Sequence, residues 1–131
     1  MTGAFRLPTG AACCLRRPGL PFLARYHVLA LTAGTRAATP EDVDALLCLA
    51  RRLGRRLGTH YFGDAESFTI LFNGARTRRS PSPHVHIIPA RSVAQKRWAL
   101  AALHLKHVTR LVTRMLRLLT PRLPRRPHAA R

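Results

Sequence analysis

The stretch Pro83-His84-Val85-His86-Ile87-Ile88-Pro89 constrains this chain more than any other. Residues two apart in a strand project from one face. In an extended backbone His84 and His86 therefore stand side by side, while Val85 and Ile87 point the opposite way. The plain reading is a half-buried strand whose polar face carries two histidines. The chemical reading starts from the imidazole pKa of about 6.5, the side-chain value nearest neutrality, which suits such a pair to attack, relay protons, bind phosphate or hold a metal.

Composition bounds what the rest of the chain can add. Its 131 residues fit one domain around a single modest core. Lys and Arg number 23 against 5 Asp and Glu, a formal charge of +18 that attracts nucleotides, nucleic acid or an anionic membrane surface. A solvated surface accounts for the same charge, so charge alone names no partner. Glu41, Asp42, Asp44, Asp64 and Glu66 are all the acids there are, and three of them crowd the start of one predicted helix, where they suit its dipole. General acid-base schemes built on paired carboxylates have little to draw on, and catalysis would rest on histidine.

Cys13, Cys14 and Cys48 form an odd set, and the adjacent pair neither bridges to itself easily nor supplies a spaced metal site. Reduced thiols and a cytoplasmic location are the expectation. No apolar run approaches the roughly 20 residues that span a bilayer, and the opening residues lack the apolar core of a secretory signal.

In chain order, residues 1–25 mix Pro8, Pro18 and Pro21 with Gly3, Gly10 and Gly19, which predicts a basic loop-like arm without regular structure. Tyr26-His27-Val28-Leu29-Ala30-Leu31 reads as a buried strand. Thr39, Pro40, Glu41 and Asp42 signal a helix start. Val43, Leu46, Leu47, Ala50, Leu53 and Leu57 then recur at helical spacing up to Gly58, the predicted stop, and give an amphipathic helix over 40–57 that covers a sheet. Arg51, Arg52, Arg55 and Arg56 form its solvated face. Ser67 to Phe72 has strand composition and ends at Asn73-Gly74.

The loop from Ala75 to Pro83 brings Arg76, Arg78 and Arg79 up to the histidines, and guanidinium is well shaped for bidentate phosphate contact. Residues 91–119 hold a basic amphipathic helix, Val93 to Leu119, with Trp98 as its anchor; it docks on the sheet, on a partner or on an anionic membrane. His104 and His107 lie one turn apart, but two ligands without a third do not make a metal site. Residues 120–131 read as a disordered basic tail. The fold class expected is α+β: a small antiparallel sheet, one long covering helix and an additional basic carboxy-terminal helix.

Over roughly Tyr26 to Ala90 this succession resembles the histidine triad superfamily of nucleotide hydrolases and transferases. Tyr26-His27-Val28-Leu29-Ala30-Leu31 is similar to the family's Gly-His-Val-Leu-Val strand, and Thr39-Pro40-Glu41-Asp42-Val43 to the start of its long helix. Phe72-Asn73-Gly74 resembles the turn that opens its phosphate loop, and His84-Val85-His86-Ile87-Ile88-Pro89 the end of its signature. The family motif has three alternate histidines and this chain has two. If Pro89 matches the proline that often follows the motif, Ser82 replaces the first histidine, His84 takes the nucleophilic middle place and His86 the third. In the other register, that of the galactose-1-phosphate uridylyltransferase branch, His86 is the nucleophile and Ile88 replaces a glutamine. The first keeps the proline and loses only one side chain, so it is preferred.

The resemblance implies a nucleotide substrate and attack by a neutral imidazole on its α-phosphate, giving a nucleotidyl-histidine that water hydrolyses. His86 would bind a phosphate oxygen or donate a proton, Arg76, Arg78 and Arg79 would compensate developing charge, Asn73 would bond a bridging or ribose oxygen, and His27 would edge the nucleoside pocket. No cofactor or metal is implied. The family's dimers join sheets across an interface, which makes a homodimer an expectation, although a basic helix follows the motif here in place of the usual tail. The rival readings are a catalytically impaired nucleotide- or RNA-binding module and a basic membrane-surface protein.

Overall fold

Thr39 starts the longest element by capping it. Its hydroxyl accepts from the Asp42 N–H at 3.3 Å, and the Asp42 carboxylate accepts from the Thr39 N–H at 3.0 Å, with Pro40 in the first turn. In the computed structural model, which describes residues 2–19, 25–32, 37–74 and 81–105, this helix, α1, runs Pro40–Phe62. It passes through Gly58, the predicted stop. Gly63, in the left-handed region at φ 71°, ends it instead, its N–H donating to the Thr59 carbonyl at 2.9 Å. Gly58 serves a different purpose: it is buried where a Cβ would lie 2.6 Å from the Asp64 carbonyl oxygen. Gly54, one turn earlier, faces the Phe68 ring, so the two glycines let the following strand lie close against the helix. Arg51, Arg52, Arg55 and Arg56 are all exposed, as the solvated face predicts.

Five strands form one sheet: β1 (Gly3–Arg6), β2 (Ala12–Arg16), β3 (His27–Leu31), β4 (Phe68–Phe72) and β5 (His84–Pro89), in the order β1-β2-β3-β5-β4. Every neighbouring pair is antiparallel. The α+β expectation is met.

The amino-terminal residues are not the irregular arm that their glycines and prolines predict. Phe5, Leu7, Cys13 and Leu15 alternate toward the core, Pro8 and Gly10 fall in the connection between two strands, Gly3 opens the first strand, and Pro18 and Gly19 follow the second. Gly10, at φ 83°, donates its N–H to the Leu7 carbonyl at 2.9 Å and closes the turn that makes β1 and β2 a hairpin. Position outweighed number here: a proline or glycine in a turn interrupts nothing. Two strands therefore precede Tyr26, where the sequence predicts none.

The side chains of one sheet face, Leu15, Leu29, Leu31, Val85 and Ile87 among them, meet Leu46, Ala50, Leu53 and Leu57 of α1. Each such leucine contributes about 1.5–3 kcal/mol by leaving water. The opposite face is covered at one end by a second helix, α2, described over 93–105. Ser92 caps it, accepting from the Gln95 N–H at 3.2 Å. Ala99 and Leu103, not Trp98, anchor α2, packing on Tyr26 and Ile88. Trp98 precedes Ala99 by one residue, about 100° round the helix, and is 65% exposed. The predicted continuation of this helix to Leu119, His107 and the tail over 120–131 lie outside the described residues. Among the described residues no helix is long and apolar enough to cross a membrane, and the three cysteines are free thiols.

Candidate active site on the open face of the sheet

Alternation along β5 turns Val85 and Ile87 into the core and leaves His84 and His86 half-buried on the face away from α1. Their rings meet edge to face with centroids 4.9 Å apart. The strand is held on both sides. On β3, Ala30 pairs with His84 and Val28 with His86, and on β4 Leu71 pairs with His86. The imidazoles thus stand on a floor of small and aliphatic side chains whose strands restrain their backbone.

His84 Nδ1 lies 3.1 Å from the Ser82 carbonyl oxygen. A carbonyl only accepts, so Nδ1 carries the proton and donates, and Nε2 of the neutral ring keeps its lone pair. A backbone acceptor of this kind is what a nucleophilic imidazole requires. Ser82 is half-buried, and its carbonyl is the group that contacts His84. His86 has a different partner: its Nδ1 is hydrogen-bonded to the Tyr26 hydroxyl, and the two rings stack at an 18° interplanar angle with centroids 5.6 Å apart.

Asn73 is exposed one residue beyond Phe72, and Phe72 pairs with Val85. The asparagine therefore sits at the end of the sheet where β5 begins with His84. Arg76, Arg78 and Arg79 lie outside the described residues. His27 does not join the pair. It is opposite Ile87 in the β3–β5 register, which places it on the α1 face, fully buried, its Nδ1 donating to the Arg25 carbonyl at 3.0 Å. Its ring lies 6.4 Å from that of Tyr61 on α1. His27 thus belongs to the core layer and not to the edge of a pocket beside His84. The physical reason is parity, because Val28 and Ala30 take the outward positions of β3.

Two contributions escaped the sequence reading. Tyr26 shares the parity of Val28 and Ala30, which was the available signal that it reaches the histidine face. Arg16 pairs with Val28 across β2 and β3, in the same cross-strand row as His86, and Arg6 pairs with Ala12 on the same face of the hairpin. At about 4.8 Å per strand, the Arg16 backbone is roughly 10 Å from that of His86. Finding these arginines needed the hairpin, which the count of breakers had hidden.

The acids are elsewhere: Glu41, Asp42 and Asp44 on α1 across the sheet, Asp64 on the turn before β4 bonded to Ser67, and Glu66 paired with Arg55 at 2.9 Å. Among the described residues no cluster of three or more His, Cys, Asp or Glu side chains is placed to hold a metal. His104 is exposed with Nδ1 on the Leu100 carbonyl, and His107 lies outside the described residues. The face therefore offers an imidazole lone pair, a second imidazole beside it and flanking cations, which together can attack and hold a phosphoryl group. Comparisons with protein-family models, curated proteins and solved structures return no significant match to the chain.

Proposed function

We propose that the chain is a divergent histidine-triad-like nucleotide hydrolase or nucleotidyl transferase in which His84 is the nucleophile. The observation that carries this reading is the His84 Nδ1–H bond to the Ser82 carbonyl, which in the neutral ring puts the lone pair on Nε2, on an open face beside a second imidazole. In the reaction Nε2 of His84 forms a bond to the α-phosphorus as the bond from phosphorus to the leaving group breaks, and the leaving group takes the electron pair. The ring becomes cationic, and its Nδ1–H strengthens its bond to Ser82. Water then attacks phosphorus, the P–N electron pair returns to Nε2, and the proton of water passes to solvent. His86, the arginines of the 75–83 loop and Asn73 act on the phosphate and ribose oxygens, where most of the stabilisation in phosphoryl transfer lies.

Incubation with a labelled nucleoside phosphoramidate or dinucleoside polyphosphate, followed by intact-mass measurement, tests this. The expected result is a covalent nucleotidyl adduct on the native chain that His84→Ala abolishes. No adduct and no turnover, together with RNA binding that weakens steeply with salt, would move the chain to the binding-module reading that its charge of +18 favours.

A further inference from the structure

Tyr26 is buried, its hydroxyl set against His86 Nδ1 and its ring packed with Ile88, Ala99 and Leu103. Burial pushes the phenol pKa up to about 12, and the proton stays on oxygen at neutral pH. A phenol that keeps its proton can donate it to the ring nitrogen it faces, and that direction is the one inferred here. A nitrogen that accepts a hydrogen bond cannot itself hold the proton, which leaves the neutral His86 ring protonated on Nε2. In His84 the arrangement is reversed, because its Nδ1 faces a carbonyl.

We infer that Tyr26 is a positioning residue that, with the Ser82 carbonyl, sets two adjacent imidazoles in opposite tautomers, His84 presenting a lone pair at Nε2 and His86 presenting an N–H there. The inference rests on the nucleotide reading above for the reaction it serves, but its structural content does not. It assigns the two roles: the ring that presents a lone pair attacks, and the ring that presents N–H holds the phosphoryl oxygen.

It also selects the leaving group. To give up its Nε2 proton, neutral His86 would have to take the Tyr26 proton at Nδ1 and leave a buried phenolate, so it donates a hydrogen bond without transferring the proton. The group displaced from phosphorus must then depart as an anion carrying the P–O electron pair. A phosphate chain or a carboxylate does this readily, whereas an amine must first be protonated.

Nitrogen-15 spectra of the histidine side chains in the full-length protein, with adduct rates on a dinucleoside polyphosphate and on a nucleoside alkyl-phosphoramidate, test the inference. His84 is expected to show a protonated Nδ1 and bare Nε2, and His86 the reverse. Tyr26→Phe leaves the His84 pattern in place, turns His86 into a tautomeric average and slows adduct formation from the polyphosphate roughly tenfold at unchanged half-saturation, the worth of about one hydrogen bond. The same tautomer in both native rings, or a His86 pattern that Tyr26→Phe does not move, overturns the role of Tyr26 even if adducts form. Should Tyr26→Phe fail to fold, the native spectrum alone decides. Opposite tautomers without any adduct uphold the role of Tyr26 on His86 and overturn only the nucleotide reaction. A faster reaction with the phosphoramidate than with the polyphosphate overturns the leaving-group assignment.

Discussion

The two faces of the sheet treat histidine in opposite ways. Beneath α1, His27 is fully buried with one nitrogen on the Arg25 carbonyl and the other, Nε2, without a hydrogen-bond partner. On the other face His84 and His86 are half-buried, side by side, each with Nδ1 held. One residue of register separates these fates, since His27 pairs with Ile87 and Val28 with His86. The environment, not the local motif, decides whether an imidazole is a core side chain or stands on the half-buried face. The closed face should therefore carry stability and the open face chemistry, a division that substitutions can break.

The largest effect expected is on the closed face. Leu29 is completely buried against α1, and Leu29→Ala should cost about 2–5 kcal/mol, the range for a cavity of this kind. Val28→Ala, its neighbour on the histidine face and only half-buried, should cost about 1 kcal/mol, an ordinary single-substitution loss. Urea unfolding of the two variants measures the contrast, and equal losses would erase it.

A smaller effect sharpens the same point at the edge of the sheet, where α1 meets the turn into β4. Ala is favoured over Gly inside a helix by about 1 kcal/mol, so Gly58→Ala would stabilise α1 if nothing touched it. A Cβ there would instead lie 2.6 Å from the Asp64 carbonyl oxygen, a backbone atom that cannot swing aside. Overpacking of about 1–3 kcal/mol should win, and the variant should unfold at lower urea. A more stable variant would mean that the turn is free to move and that the close approach of β4 is not a constraint.

Local signals made much of this legible. Thr39 to Asp42 marked the start of α1 correctly because a cap is a contact between residues three apart, and the β5 alternation put the imidazoles of His84 and His86 on one face without knowledge of any other strand. What failed depended on residues distant in sequence. Gly58 reads as a stop until the turn that packs on it is known, and Trp98 reads as an anchor until the sheet selects Ala99 and Leu103. His27 reads as a site residue from its motif, yet its face follows from pairing with a strand 60 residues away in the chain, His27 against Ile87. The Tyr26 contact is hidden for the same reason.

The smallest effect expected is on pH dependence, and it tests His27 as the closed-face counterpart. Burial is the main cause holding its pKa below the usual 6.5, with the nearby Arg17 charge acting in the same direction and the Arg25 carbonyl opposing both. The unfolded chain therefore takes up the proton at a higher pH than the folded chain does. Stability from His27 is fully present above about pH 6.5 and is lost as pH falls from there toward the folded value, with a slope of at most about 1.4 kcal/mol per pH unit for one proton. The difference in unfolding free energy between the native chain and His27→Leu, followed by urea titration from pH 8 to 5, isolates this contribution. It should be flat above neutrality and should shift in favour of the variant as acid is added. At high pH the variant should lose little, because Leu removes a buried Nε2 that has no partner. A difference that stays constant across the whole range would mean that His27 titrates as freely folded as unfolded, and the two faces would then not differ in how they hold an imidazole.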